Sequence, residues 1–288
     1  MSLLEVKQLA KNYKDFSLQD ISFEIPEGYI MGYIGRNGAG KTTTLNSITH
    51  LIRPDGGDVR IDGIRFEEDP VAFRKKIGYI GDSGYFPQDF TPSDIRKILK
   101  DFYETFDADV YNSFLDRWEL PEKMTVKQLS RGMNVKLMFA SVLSRQTRLL
   151  ILDEATNGLD PVVRRDVLKI LQDYIADGNK SVLFSTHIME DLQNIADYIF
   201  LIDNGKKILC EAKDDLLERY LLVHCGRHEL TPDMEKGLIG LEKNEYGVSA
   251  LFDTESSGIL PSLFVTEKPT IDEIVVHLLS NRRTESWH

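Results

Sequence analysis

"GRNGAGKTT", Gly35 to Thr43, lies between an apolar run, "YIMGYI" (29–34), and a helix-like run, "TTTLNSITHLI" (42–52). It matches G-x-x-x-x-G-K-[ST], with Gly35, Gly40, Lys41 and Thr42 at the fixed positions. Such glycines let successive backbone N–H groups converge on an anion with no Cβ in the way. A helix beginning near Lys41 points its positive dipole end at the same place. Lys41 can reach the β- and γ-phosphates of a nucleotide, and the Thr42 hydroxyl can ligate Mg²⁺. A Gly-rich turn with an unrelated lysine is the bland alternative, but strand before and helix after is the context the motif demands. The whole loop therefore reads as a phosphate cradle: Gly35, Arg36, Asn37, Gly38, Ala39, Gly40, Lys41, Thr42 and Thr43.

"RLLILDEATNGLD" (148–160) supplies the second half. An apolar strand ends in Asp153, where a carboxylate can hold hydrated Mg²⁺. Glu154 follows at once, placed to orient or deprotonate an attacking water. Two acids at a strand end are common in isolation. Beside a phosphate loop they point to a nucleoside triphosphatase.

The bulk properties narrow the setting. A chain of 288 residues can hold one large domain and a smaller one. Its formal net charge of −11 argues against broad binding to nucleic acid or anionic lipid, so no nucleic-acid partner is expected. No apolar run is long enough to cross a bilayer. The opening "MSLLEVKQLAKNYKD" lacks the pattern of a secretory signal. With only Cys210 and Cys225, neither a disulfide framework nor a four-cysteine zinc site is available. A reduced, cytoplasmic chain is expected.

Around the loop, β-like runs at 3–15 and 18–28 precede the cradle, and "GGDVRIDGIRF" (56–66) reads as a hairpin. From about Pro92 to Arg145 the pattern is helical, with a break near Pro121. Strand and helix then alternate through "RLLILD", "KSVLFST" and "IFLIDNGKKIL", the last carrying the Asn204-Gly205 turn signal. These strands are apolar on both faces, as a parallel sheet covered by helices requires. After about Asp214 the alternation fades into short strands and a final helix, with apolar residues at 271, 274, 275, 278 and 279. That stripe reads as packing. The expected fold is α/β: a P-loop NTPase core with an antiparallel β-subdomain, an inserted helical subdomain at about 85–145 and a small C-terminal α+β extension. The expected division is 1–215 and 216–288.

With both motifs in place, a third falls into register. "LSRGM" (129–133) opens the apolar-periodic "NVKLMFASVL" ahead of "RLLILDE". The ordered set resembles the ATP-binding cassette family, the ATPase subunits of ABC transporters, over roughly residues 1–215, and looks most like ABC-2 type exporter ATPases. That resemblance implies a head-to-tail dimer with a second cassette subunit, identical or not, sandwiching two ATPs with Mg²⁺. Ser130 and the Gly132 amide would contact the γ-phosphate across the interface, while Ser130 also caps its own helix. Tyr13 lies where the family stacks an aromatic ring on adenine, although aromatics also suit strands in their own right. Asp160, in "NGLD", would help couple the two sites. His187 resembles the switch histidine that senses γ-phosphate. With Glu154 and Lys41, it makes up the implied catalytic set.

Three positions depart from the family pattern. Arg131 stands where Gly is usual, and Met133 where Gln is usual. In "IGYIGDSGYFPQDFTPSDI" (77–95), alignment on the strand places Asp82 where the family carries a Gln that reaches Mg²⁺; Gln88 lies further on. Thr42, Asp153 and Asp82 are thus the implied metal positions. The family further implies an integral membrane permease, holding the chain at the inner face of the cell membrane. Phe86 and Phe90 fit either a permease-facing groove or the core of the helical block, with core burial the default. Three functions follow in order: the energy-coupling subunit of a transporter, by analogy an exporter; a soluble ABC-type ATPase; or a nucleotide-sensing module with weak turnover.

Overall fold

The computed structural model describes residues 2–82, 84–244, 247–256, 260 and 264–285. The chain opens with strands β1 (Ser2–Asn12), β2 (Ser17–Pro26) and β3 (Ile30–Gly35), then helix α1 (Lys41–Ile48). A hairpin, β4 (Gly56–Ile61) and β5 (Ile64–Arg65), leads through α2 (Pro70–Lys75) to β6 (Ile77–Ile80). A helical block follows: α3 (Pro92–Phe102), α4 (Ala108–Arg117) and α5 (Arg131–Leu143). Then come β7 (Leu149–Asp153), α6 (Pro161–Ile175), β8 (Ser181–Ser185), α7 (Met189–Ile195), β9 (Tyr198–Asp203) and β10 (Lys206–Ala212). The C-terminal part comprises α8 (Lys213–Arg219), β11 (Tyr220–Cys225), α9 (Pro232–Glu235), β12 (Leu238–Asn244), β13 (Gly247–Asp253), β14 (Val265–Glu267) and α10 (Ile271–Glu285).

The central sheet runs β10-β9-β3-β8-β7-β6. All its pairings are parallel except the β9–β10 hairpin, closed by Asn204 (φ 46) and Gly205 (φ 71), the left-handed pair that a tight hairpin favours. Every residue of β7 and β8 is buried, as is β3 up to Gly35. That is why these segments read as unbroken apolar runs. Because β3, β8 and β7 are parallel neighbours, the residues just past their C-terminal ends meet at one edge. Crevices at that edge are where open α/β sheets place ligands.

A four-stranded antiparallel sheet, β2-β1-β4-β5, covers one face, packing Leu4, Phe23 and Ile61 against Tyr33, Leu183 and Phe200. On the other face α5 buries Leu137, Met138, Phe139, Ala140 and Val142. The helical stretch is interrupted twice, not only near Pro121: Tyr103 ends α3, and Asp107 caps α4 by accepting from the Asp109 and Val110 amides. Helices α2, α8 and α9 depart from the sequence expectation, being too short to show a helical period.

A second antiparallel sheet, β12-β13-β11-β14, forms the C-terminal part. In α10, Ile271, Ile274, Val275 and Leu279 are buried in the same cluster as Leu192, Ile195 and Leu201 of the central layer. The apolar stripe is therefore packing. Among the described residues, no helix is long and apolar enough to cross a membrane.

Candidate functional site

Gly40 precedes α1 with φ 110, a left-handed conformation that suits glycine. A Cβ there would also come 2.8 Å from the ring of Phe16. The first turn of α1 carries no acidic residue, so nothing in it offsets the positive end of the helix. Lys41 is buried; its Nζ donates to the Gly35 carbonyl at 2.8 Å and lies 3.2 Å from Glu154 Oε1. The loop after β3 is thereby tied to the acid at the end of β7 by opposite charge.

Asp153 and Glu154 sit side by side in different surroundings. Burial drives the Asp153 carboxyl above its ordinary range, and the neighbouring Glu154 charge adds to the effect. Its Oδ1 is buried without a hydrogen-bond partner, as are Asn157 Oδ1 and Ser185 Oγ. Asp153 and Ser185 are paired residues of β7 and β8. Burial also acts to raise Glu154, but the contacts from Asn157, His187 and Lys41 outweigh it and hold the carboxyl below its ordinary value. Asn157 Nδ2 donates to Glu154 Oε2 at 2.6 Å, and His187 Nδ1 lies 2.8 Å from the same oxygen. Glu154 has φ 54, uncommon for a residue with a side chain, and its amide donates to the Ser185 carbonyl at 3.0 Å. Strained backbone of this kind concentrates at functional sites.

One groove brings these groups together. Arg36, Asn37, Gly38, Gly40, Lys41, Thr42 and Thr43 line it with Asp82, Asp153, Glu154 and His187. Asn157, Asp15, Phe16 and Asn204 also face it. Two of these four carry a sequence signal: Asn204 as half of the Asn204-Gly205 turn, and Asn157 as a short polar side chain inside "ATNGLD". Gly35 contributes its carbonyl to Lys41, and Ala39 is buried beneath the loop. Asp82 is among the residues lining the groove; Gln88 is not.

Four predicted residues stand outside the groove. Tyr13 is exposed past the end of β1, with the Lys11 ammonium 5.7 Å from its ring centroid. Ser130 caps α5, its Oγ accepting from the Met133 amide at 3.2 Å, and Gly132 lies in the first turn of that helix. Asp160 caps α6, accepting from the Val162 and Val163 amides at 3.0 Å each. Within one chain, then, Ser130 and Gly132 are not among the residues lining the groove, although Arg131 between them pairs with Asp82, which is.

The orphaned Oδ1 of Asp153, on a carboxylate that also interacts with the Thr42 side chain, fits a hard cation. Among the described residues no group of three or more His, Cys, Asp or Glu side chains could hold a metal unaided.

Comparison with known proteins agrees with the fold. Residues 18–157 match the family described as ABC transporter. The ABC transporter ATP-binding protein YtrB of Bacillus subtilis (strain 168) is 33% identical over 223 residues, covering 77% of this chain and 76% of that protein. The Nod factor export ATP-binding protein I of Cupriavidus pinatubonensis is 31% identical over 223 residues, covering 75% of this chain and 68% of that protein. A solved ATP-binding subunit of an ABC transporter superposes with a TM-score of 0.70 at 28% identity, over 75% of this chain and 92% of its own. The chain belongs to the ATP-binding subunits of ABC transporters. It is an ABC transporter ATPase.

Proposed function

We propose that this chain hydrolyses Mg²⁺-ATP at the seam between two cassette subunits and so drives a separate permease, in the direction of export. The carrying observation is the division of the motif residues. Cradle, acids and histidine share one groove, while Ser130 and Gly132, at the N-terminus of α5, are not among the residues that line it. A helix end with free amides is an anion site awaiting an anion. A second copy turned head to tail supplies it.

In this reading the Gly35–Thr43 amides and Lys41 bind the β- and γ-phosphates, and Tyr13 stacks on the base. Thr42, Asp153 and Asp82 would hold Mg²⁺. Bound there, the ion screens the charge developing on the transferred phosphoryl group. Glu154, kept ionised by its three partners, orients and deprotonates the attacking water. His187 positions Glu154 and senses the γ-phosphate, and Asp160 couples the two sites. Because both subunits neutralise the nucleotide's charge, binding closes the dimer and phosphate loss opens it.

A second, apolar cleft supports a permease partner. It lies among Leu51, Ile77, Tyr85, Leu99, Tyr103 and Val142, with the Arg74 and Arg145 guanidinium groups also lining it. Phe86 lines the cleft and packs on the core, whereas Phe90 packs on the core alone. Nearby Phe102 is 78% exposed. Apolar surface of this kind marks a protein contact, and a permease seated there would hold the chain at the inner face of the membrane. Export is by likeness to the Nod factor relative.

The test is purified protein with Mg²⁺-ATP. The parent should turn over, and Glu154→Gln should bind ATP without turnover. Lys41→Ala should weaken ATP binding at least about tenfold, the loss of roughly one charge-assisted contact. Normal turnover in Glu154→Gln would remove that residue from its role.

A further inference from the structure

Two of the departures from the usual cassette pattern face each other. The Arg131 guanidinium, on the first residue of α5, forms an ion pair with the carboxylate of Asp82, past the end of β6. The same guanidinium packs on Gly158: a Cβ there would lie 3.4 Å from Arg131 Nη1 and 3.5 Å from its Cζ. Gly158 has φ +68, so the loop after Glu154 both needs glycine and leaves room for the arginine. One step on, Gly132 approaches Leu159 Cδ2. Arg131 thus spans two loops of the nucleotide groove, one after β6 and one after β7, from the helix that carries Ser130.

We propose that Arg131 is a positioning residue: with Asp82 it forms an intrachain latch that fixes the N-terminus of α5 relative to its own groove before nucleotide arrives. This rests on the reading above, in which Ser130 and Gly132 must meet a partner's phosphate in register. An arginine introduced alone would crowd a loop with uncompensated charge, and an Asp82 introduced alone would set another carboxylate beside Asp153 and Glu154. Paired, each offsets the other. The two substitutions act as one device.

The latch is half exposed, which bounds its strength and makes it sensitive to salt. Its test is a distance measurement. Spin labels go at Lys127→Cys, ahead of the signature, and Lys169→Cys on α6, with Cys210 and Cys225 replaced by alanine. Without nucleotide or Mg²⁺, Arg131→Ala and Asp82→Ala should each broaden the distance distribution. The double variant should be no broader than the worse single, because both remove the same contact. Arg131→Lys, which keeps the charge, should restore most of the narrow distribution. Raising salt to about 1 M should broaden the parent and leave the variants unchanged. Single variants with the parent's distribution, or effects that add in the double, would overturn the proposal.

A second arm reads the consequence. In the Glu154→Gln background, Arg131→Ala should raise the ATP concentration for half-dimerisation by about two- to fivefold, the weight of an exposed pair. Arg131→Lys should not; an unchanged half-point in Arg131→Ala would count against the latch. If Glu154→Gln itself does not dimerise, the seam reading fails, and the latch is judged by the distances alone.

Discussion

The guanidinium of Arg36, within the phosphate loop, donates a 3.0 Å hydrogen bond to the backbone carbonyl of Leu279 in α10. At the other end of the same helix, the Ile271 amide donates to Gln193 Oε1 of α7 at 3.2 Å. The C-terminal helix is therefore fastened to both the loop after β3 and the helix that follows His187. Arg36→Ala should cost about 1.5–3 kcal/mol at this contact, since the donor is charged. Amide hydrogen exchange in Ile274–Leu279 should accelerate at least about tenfold if the end of α10 opens locally. Unaltered protection there would show that Arg36 does not hold the helix.

Asp153 places function and stability in opposition. Burial raises its carboxyl in the folded chain, so at neutral pH the ionised form works against folding, a cost that disappears as pH falls and the group takes up a proton. Asp153→Asn keeps the shape and removes the buried charge. In nucleotide-free protein it should raise the thermal midpoint by about 2 °C or more. The further stabilisation that Mg²⁺-ATP gives the parent should be lost. A lowered midpoint without nucleotide would contradict this account of the burial.

Glu154 behaves with the opposite sign. Burial opposes its charge, but Asn157, His187 and Lys41 overcome that and leave the carboxyl below its ordinary 4.5. A depressed carboxyl stabilises the fold above the unfolded value, and the gain disappears as pH falls through the folded one. Asn157→Ala should therefore destabilise the protein by about 1.5–3 kcal/mol near neutrality. The gap from the parent should shrink on the acid side of 4.5. Thermal unfolding across that range checks it; a gap that stays constant would mean the asparagine acts on packing and not on charge.

The parts of this architecture readable from sequence were those written in local pattern. The loop "GRNGAGKTT" announces its strand and helix through glycine spacing, and the buried strands announce a parallel sheet through unbroken apolar runs. The strand order that brings Asp153, Glu154 and His187 into one groove, with β3, β8 and β7 as parallel neighbours, is set by the fold and not by those local patterns. What is not readable depends on long-range pairing or on local backbone geometry that residue type does not signal. The bond from Asn157 to Glu154 needs the left-handed turn at Glu154, which nothing in its residue type signals. Arg131 and Asp82 are 49 residues apart, and each looked like an isolated exception until the fold set them together. Arg36 and Leu279 are 243 residues apart, and the carbonyl accepting that bond has no sequence signature at all. The cap at Asp107 was local and legible in principle, but the surrounding helical period masked it.

The central claim, that a triphosphate is shared by two copies of the cassette, is tested most directly by analytical ultracentrifugation of Glu154→Gln with nucleotide. With Mg²⁺-ATP the protein should sediment as a dimer, with Mg²⁺-ADP as a monomer, and a further Ser130→Arg substitution should abolish the ATP-dependent dimer while leaving single-site ATP binding intact. A chain that binds ATP yet remains monomeric at every concentration would contradict it.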